Sequence, residues 1–190
     1  NALETALAWS QNQPQNLAAQ FSYITQLMEN RQFVDALKLT QQQLKLHPNV
    51  PELKNLQTVL QAETRDYAGA MTSLNLLPKD VQAKSDVLLL KGKLLIAQGQ
   101  YVEGKAALMA SYQQTKSAQT AMFLADLIAK NDSPEEAVRF IENHFSTEPK
   151  NPMLQSMYAN LLLSVDPSKA SNTFSTLIDE DPENFMALNN

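Results

Sequence analysis

Between residues 33 and 46, Phe33, Ala36, Leu37, Thr40 and Leu44 recur at three- or four-residue steps, and Tyr101, Gly104, Leu108 and Tyr112 do the same between 101 and 112. Such steps place them on one face of a helix with 3.6 residues per turn, so both stretches are predicted amphipathic helices. Along the whole chain the pattern predicts twelve helical segments, roughly 1–12, 17–29, 33–46, 51–63, 67–77, 81–98, 101–114, 117–130, 134–146, 152–164, 168–179 and 184 onward, and no strand competes with them. Prolines at 14, 48, 149 and 182 each follow a helical stretch and stop it, because proline lacks the N–H that a continuing helix needs. At the other end of a helix, Asp132, Ser133 and Pro134 precede Glu135 and Glu136, which supplies a cap, a first-turn proline and two acids suited to the helix dipole.

The pattern is also periodic. Phe33, Tyr67 and Tyr101 are 34 residues apart, and Ala36, Ala70 and Gly104 follow each by three, with Ala2 opening the same series. Pro14 and Pro48 are again 34 apart, while Pro149 and Pro182 are 33 apart. A 34-residue period built of two helices resembles the tetratricopeptide repeat (TPR). The third unit carries the resemblance best: Gly92, Gly99 in the inter-helix turn, Tyr101, Gly104 and Ser111 fill its small and aromatic positions. Phe33, Ala36, Leu44, Leu46 and Pro48 mark the first unit, and Ala125, Ala137, Ile141 and Pro149 the fourth. Departures occur where Ile24 and Thr58 stand at a usually small position, where Gln43, Leu77 and His144 stand at another, and where Pro78 ends the second unit about four residues early. The fifth unit is one residue short, with Asp166 and Pro167 in its turn before Ala170 and Phe174. Glycine inside a helix costs about 1 kcal/mol relative to alanine, so Gly92 and Gly104 require a close helix approach in return.

The resemblance implies an all-α fold, a TPR-like α-α superhelix of about five helix pairs plus flanking helices. The expected repeats are 17–50, 51–84, 85–117, 118–151 and 152–183, within a single solenoid over 1–190. Pairs of this kind bury their apolar faces only against neighbours, so interior repeats are expected to be better protected than segments 1–12 and 184–190. Leu3 and Leu7 at one end and Phe185, Met186 and Leu188 at the other have no polar capping helix, which predicts weak end-to-end self-association.

Composition then narrows the chemistry. Only 4 of 190 residues are glycine, which makes tight hairpins and phosphate-cradling loops scarce. A net charge of −5 gives no electrostatic footprint for nucleic acid or anionic lipid. No cysteine is present, which excludes disulfides, a thiolate nucleophile and Cys-containing zinc sites. The longest apolar run, Ala121 to Ala125, is far below the ~20 residues of a membrane span, so no membrane insertion of this segment is expected. The chain begins at Asn1 rather than Met and stops at Asn190 in mid-pattern, which reads as a piece whose leader or anchor lies elsewhere.

The two histidines lie in different repeats without HExxH spacing, so no metal site is expected. His47 is read as a solvated helix end, and His144, at a normally small position, as a packed, hydrogen-bonded imidazole or as the cause of a local shift of the next helix. The acids Glu135, Glu136, Asp179, Glu180 and Asp181 scatter over turns rather than forming a glycosidase pair. GxSxG, GxxxxGK and GxGxxG are all missing, so neither a catalytic residue nor a cofactor is expected.

What the resemblance does imply is a groove lined by the first helix of each pair. Carried onto this chain it comprises Phe21, Thr25 and Met28, then Asn55, Val59 and Glu63, then Leu89, Lys93 and Ile96. Gln119, Met122, Asp126 and Lys130 follow in the fourth unit, and Met153, Ser156 and Asn160 in the fifth. Phe21 and Thr25 stand where chaperone-binding TPR proteins carry a Lys and Asn clamp, which argues against capture of a terminal carboxylate. Methionines and aromatics instead suit adaptable burial of an apolar or helical protein segment. The expected function is therefore a non-catalytic protein- or peptide-binding scaffold. Low charge, Gln-rich helices and the runs Gly99-Gln100-Tyr101 and Asp181-Pro182-Glu183-Asn184 resemble the TPR arrays of bacterial envelope and exopolysaccharide export systems, including the PEP-CTERM TPR lipoproteins, which implies a periplasmic or envelope location ahead of a cytoplasmic one. The alternative is the recognition arm of a larger enzyme such as a glycosyltransferase.

Overall fold

The computed structural model describes residues 1–148 and 151–180, without the side chain of Glu180. Pro149, Pro182 and the last expected helix, with Phe185, Met186 and Leu188, lie outside the described residues. Within them the helices are α1 (Ala2–Asn12), α2 (Leu17–Glu29), α3 (Phe33–Leu46), α4 (Pro51–Glu63), α5 (Tyr67–Asn75), α6 (Lys79–Gln82) and α7 (Ser85–Ala97). They continue with α8 (Tyr101–Thr115), α9 (Ala118–Asn131), α10 (Pro134–Thr147), α11 (Pro152–Val165) and α12 (Pro167–Glu180), and no strand occurs among the described residues. The chain divides into two compact units, Asn1–Gln100 and from Tyr101 onward, with the boundary between α7 and α8.

Local chemistry sets the helix ends. Asn16, Asp66, Ser117, Ser133 and Asn151 each accept a backbone N–H of the first turn, and Ser133 Oγ does so from Glu136 at 3.1 Å, as expected for that stretch. Pro51, Pro134 and Pro152 occupy a first-turn position, where their missing N–H costs nothing. Three turns in the first unit close alike. Arg31, Arg65 and Gly99, spaced 34 apart, adopt φ of 59°, 64° and 77°. The N–H that follows each reaches back to Leu27, Gln61 and Leu95 carbonyls at 2.8, 2.8 and 2.9 Å, the left-handed closure that satisfies a helix's last carbonyls.

The segment expected as one helix over 81–98 is two, and the reason lies after Pro78. Gln82 Nε2 donates to the Asn75 and Leu77 carbonyls at 3.1 and 2.7 Å, caps the shortened α5, and holds α6 as a single turn. Val81 packs on the Ala70, Leu74 and Val87 cluster, so α7 begins at Ser85, 34 residues after the start of α4.

Consecutive helices pack against one another within each unit, except that α5 packs on α7 past the single-turn α6. In the first, Ile24, Leu27, Ala36, Leu53 and Leu60 form one cluster, and Ala70, Leu74, Leu77, Val87 and Leu94 another. In the second, Leu108, Leu124, Ile141, Leu154 and Leu162 are shielded from solvent almost completely. Burying each such side chain contributes about 1.5 to 3 kcal/mol. The small-residue series is buried from its second member on: Ala2 is exposed at the chain end, Ala36, Ala70, Ala137 and Ala170 are fully shielded, and Gly104 is buried. Ile24 and Thr58 are accommodated there as well, the Thr58 hydroxyl donating to the Lys54 carbonyl at 3.0 Å. His47 departs from expectation, because it is half-buried and its Nε2 is enclosed rather than solvated.

Candidate functional site

In each unit, first helices of successive pairs face each other across a hollow. In the second unit, α9 presents Gln119, Met122, Phe123 and Asp126 at helical spacing, and α11 adds Met153 and Met157 one turn apart; they enclose about 650 Å³. Ala118 and Asn151 close the helix-start end, where Asn151 also accepts the Met153 and Leu154 N–H groups at 3.0 and 3.2 Å. The walls keep apolar surface in water: Phe123 is 39% exposed and Met153 62%. Asp126 accepts from Lys130 Nζ at 2.7 Å, an exposed pair of the kind that contributes little to stability.

In the first unit, Asn55, Val59 and Glu63 of α4 face Leu89, Leu90 and Lys93 of α7 across about 230 Å³, with Asp86 and Val87 at the rim. Burial pushes the Lys93 ammonium below its ordinary value, and Glu63 opposes that shift.

These hollows gather part of the groove expected from the sequence. Asn55, Leu89 and Lys93 meet in one, and Met122 and Asp126 in the other. Phe21 and Met28 instead pack against the Ile24 and Leu53 cluster, Thr25 is exposed, Ile96 is half-buried, and Asn160 is exposed away from the lining residues. Phe123 and Met157 were not legible as lining. Their signal lay in the width of the α9 face, one residue beyond Met122, and in the four-residue step from Met153 to Met157.

No family model matches the chain, and no curated protein matches it in sequence. Solved structures do match. The C-terminal part of a TPR repeat-containing protein from Cytophaga hutchinsonii is 17% identical, with a TM-score of 0.73 over 85% of this chain and 65% of that one. A tetratricopeptide repeat protein from Parabacteroides merdae is 18% identical, with a TM-score of 0.72 over 94% of this chain and 72% of that one. The chain has the tetratricopeptide-repeat fold. The APC/C hetero-tetramer Cut9–Hcn1 shares that TPR fold at 12% identity and a TM-score of 0.73, over 98% of this chain and 38% of the other. This chain therefore spans about two thirds of the Cytophaga structure and less of the Cut9–Hcn1 chain.

The second unit also holds a cluster of buried and half-buried rings, of which the sequence announced only His144. His144 is 1% exposed, and its Nδ1 shares a 2.9 Å hydrogen bond with the Tyr112 hydroxyl. The expected packed imidazole is thus present. Burial holds it below the ordinary histidine value; Glu148 opposes that shift and Lys116 adds to it. Phe140 meets Tyr112 at a tilt of 59° with 5.3 Å between centroids, and Phe145 meets Tyr158 edge-on at 5.7 Å. Among the described residues no group of three His, Asp or Glu could hold a metal ion, and no helix is long and apolar enough to cross a membrane.

Proposed function

We propose that the chain is a non-catalytic scaffold that holds a protein or peptide segment on the first-helix face, with the α9–α11 hollow of the second unit as principal anchor. The observation that carries this reading is the methionine and phenylalanine lining of a 650 Å³ hollow that leaves Phe123 and Met153 partly in water. Unbranched methionine side chains adapt to irregular apolar surfaces, and a few buried anchors supply most of an interface's energy. The ligand is an amphipathic segment whose apolar side chains enter this hollow and whose polar side stays in water. In the first unit, Lys93 and Glu63 offer one charge of each sign beside Leu89, a secondary contact for the same kind of segment. The Cut9–Hcn1 structure, in which a similar fold forms part of a hetero-tetramer, is in keeping with a protein partner. A place in a bacterial envelope or exopolysaccharide export system is supported by the low charge and the Gln-rich helices. The test is selection of peptides from a random display library on the immobilised chain. Enriched peptides with apolar residues three or four apart are expected, and enrichment of acidic tails without apolar anchors would contradict the reading.

A further inference from the structure

A second hollow in the same unit, of about 450 Å³, opens between α10, α11 and α12 and shares no lining residue with the first. Its chemistry differs. Phe145 and Tyr158 supply ring surface, and the one carboxylate and one ammonium in the lining neutralise each other. Glu142 Oε1 accepts from Lys169 Nζ at 2.6 Å and from the Tyr158 hydroxyl at 2.8 Å. Those two bonds hold the Glu142 carboxyl below its ordinary range, and the same network holds Lys169 above its own, so both stay ionised near neutral pH. The wall therefore carries no net charge.

Three hydroxyls complete it. Ser146 donates to the Asn143 carbonyl at 2.7 Å, Thr173 to the Lys169 carbonyl at 2.8 Å, and Thr176 to the Asn172 carbonyl at 3.0 Å. Each has committed its only proton to its own helix and retains lone pairs, so toward a ligand it acts as an acceptor. The amides of Gln155 and Asn172 add both donors and acceptors. A partner matching this wall must bring several donors of its own, accept a few in return, lay apolar C–H surface on the rings, and carry no charge. Phosphates and carboxylates fail, because they offer acceptors to a wall already rich in them. A peptide brings side chains that need enclosed apolar pockets, whereas here two rings and the Thr173 and Thr176 methyls are set among hydroxyls and amides.

We propose that this hollow binds a neutral oligosaccharide segment, whose hydroxyls donate to Ser146, Thr173 and Thr176 and pair with the Gln155 and Asn172 amides. The volume lies within the range of small-ligand sites. The test uses the fluorescently labelled chain on an array of neutral and acidic oligosaccharides and short peptides, followed by titration of the strongest neutral glycan. Binding confined to neutral glycans is expected. The Gln155→Ala/Asn172→Ala double variant should weaken it by about tenfold or more, the loss expected for removed hydrogen bonds, with helical circular dichroism unchanged. Met122→Ser, in the other hollow, should leave it intact. Binding of no glycan, binding of acidic glycans alone, occupation of this hollow by a peptide, or an affinity unaltered in the double variant would each overturn the proposal.

Discussion

At Arg31 and Arg65 the backbone takes a left-handed conformation that costs an L-residue about 1 kcal/mol or more, and the matching turn at Gly99 avoids that strain. Only the glycine announced the turn in sequence; an arginine carries no such signal, so two of the three closures were not legible. Arg65→Gly is expected to stabilise the chain by about 0.5 to 1 kcal/mol, the relief of strain less the extra freedom of the unfolded glycine. Urea unfolding measures it, and a lowered midpoint would contradict the account. His144 was more legible, since a large polar residue at a small, buried position must find a partner, and Tyr112, 32 residues earlier, provides it. Because burial lowers its pKa below the ordinary 6.5, the unfolded chain binds the proton more readily than the folded one. Stability is then full above pH 6.5 and falls as pH drops through that value. The Glu142 carboxyl, also lowered, adds its own loss only further down, below its ordinary 4.5. Thermal melts of His144→Leu/Tyr112→Phe, which removes both halves of the bond, should lose the slope that sets in below pH 6.5. Retention of the full slope would assign it to another group.

At the scale of helices, the small-residue column was readable because sterics leave little choice where two helices cross. Ala36, Ala70, Gly104, Ala137 and Ala170 keep the period and are all buried. Gly104→Leu is therefore expected to lower the urea midpoint by the equivalent of about 1 to 3 kcal/mol, the usual cost of overpacking. A midpoint equal to the parent's would mean that position 104 has room to spare. The break between α6 and α7 was not readable, since residues 81–98 keep a helical pattern throughout. It depends on Gln82 turning back to two carbonyls of α5, a contact set by three-dimensional proximity rather than periodicity. The hollow between α10, α11 and α12 was not legible for the same reason: its hydroxyls and amides lie on three helices and follow no single spacing.

For the molecule as a whole, the 34-residue period carried the fold, because a repeat that can bury its apolar face only against neighbours leaves few alternatives to stacking. It carried the groove less fully. Period alone assigns the same role to every first helix, whereas packing consumes Phe21 and Met28 and leaves Met122 at an open hollow. The central claim, that an amphipathic partner anchors in the α9–α11 hollow, is tested most directly by the affinity of one selected peptide for the parent, for Met122→Ser/Met157→Ser, and for the second-helix control Glu103→Lys. The account predicts a loss of about tenfold or more for the double variant, as for removal of two buried anchors, with helicity preserved and the control equal to the parent. Equal affinity for parent and double variant, or a loss confined to Glu103→Lys, would contradict it.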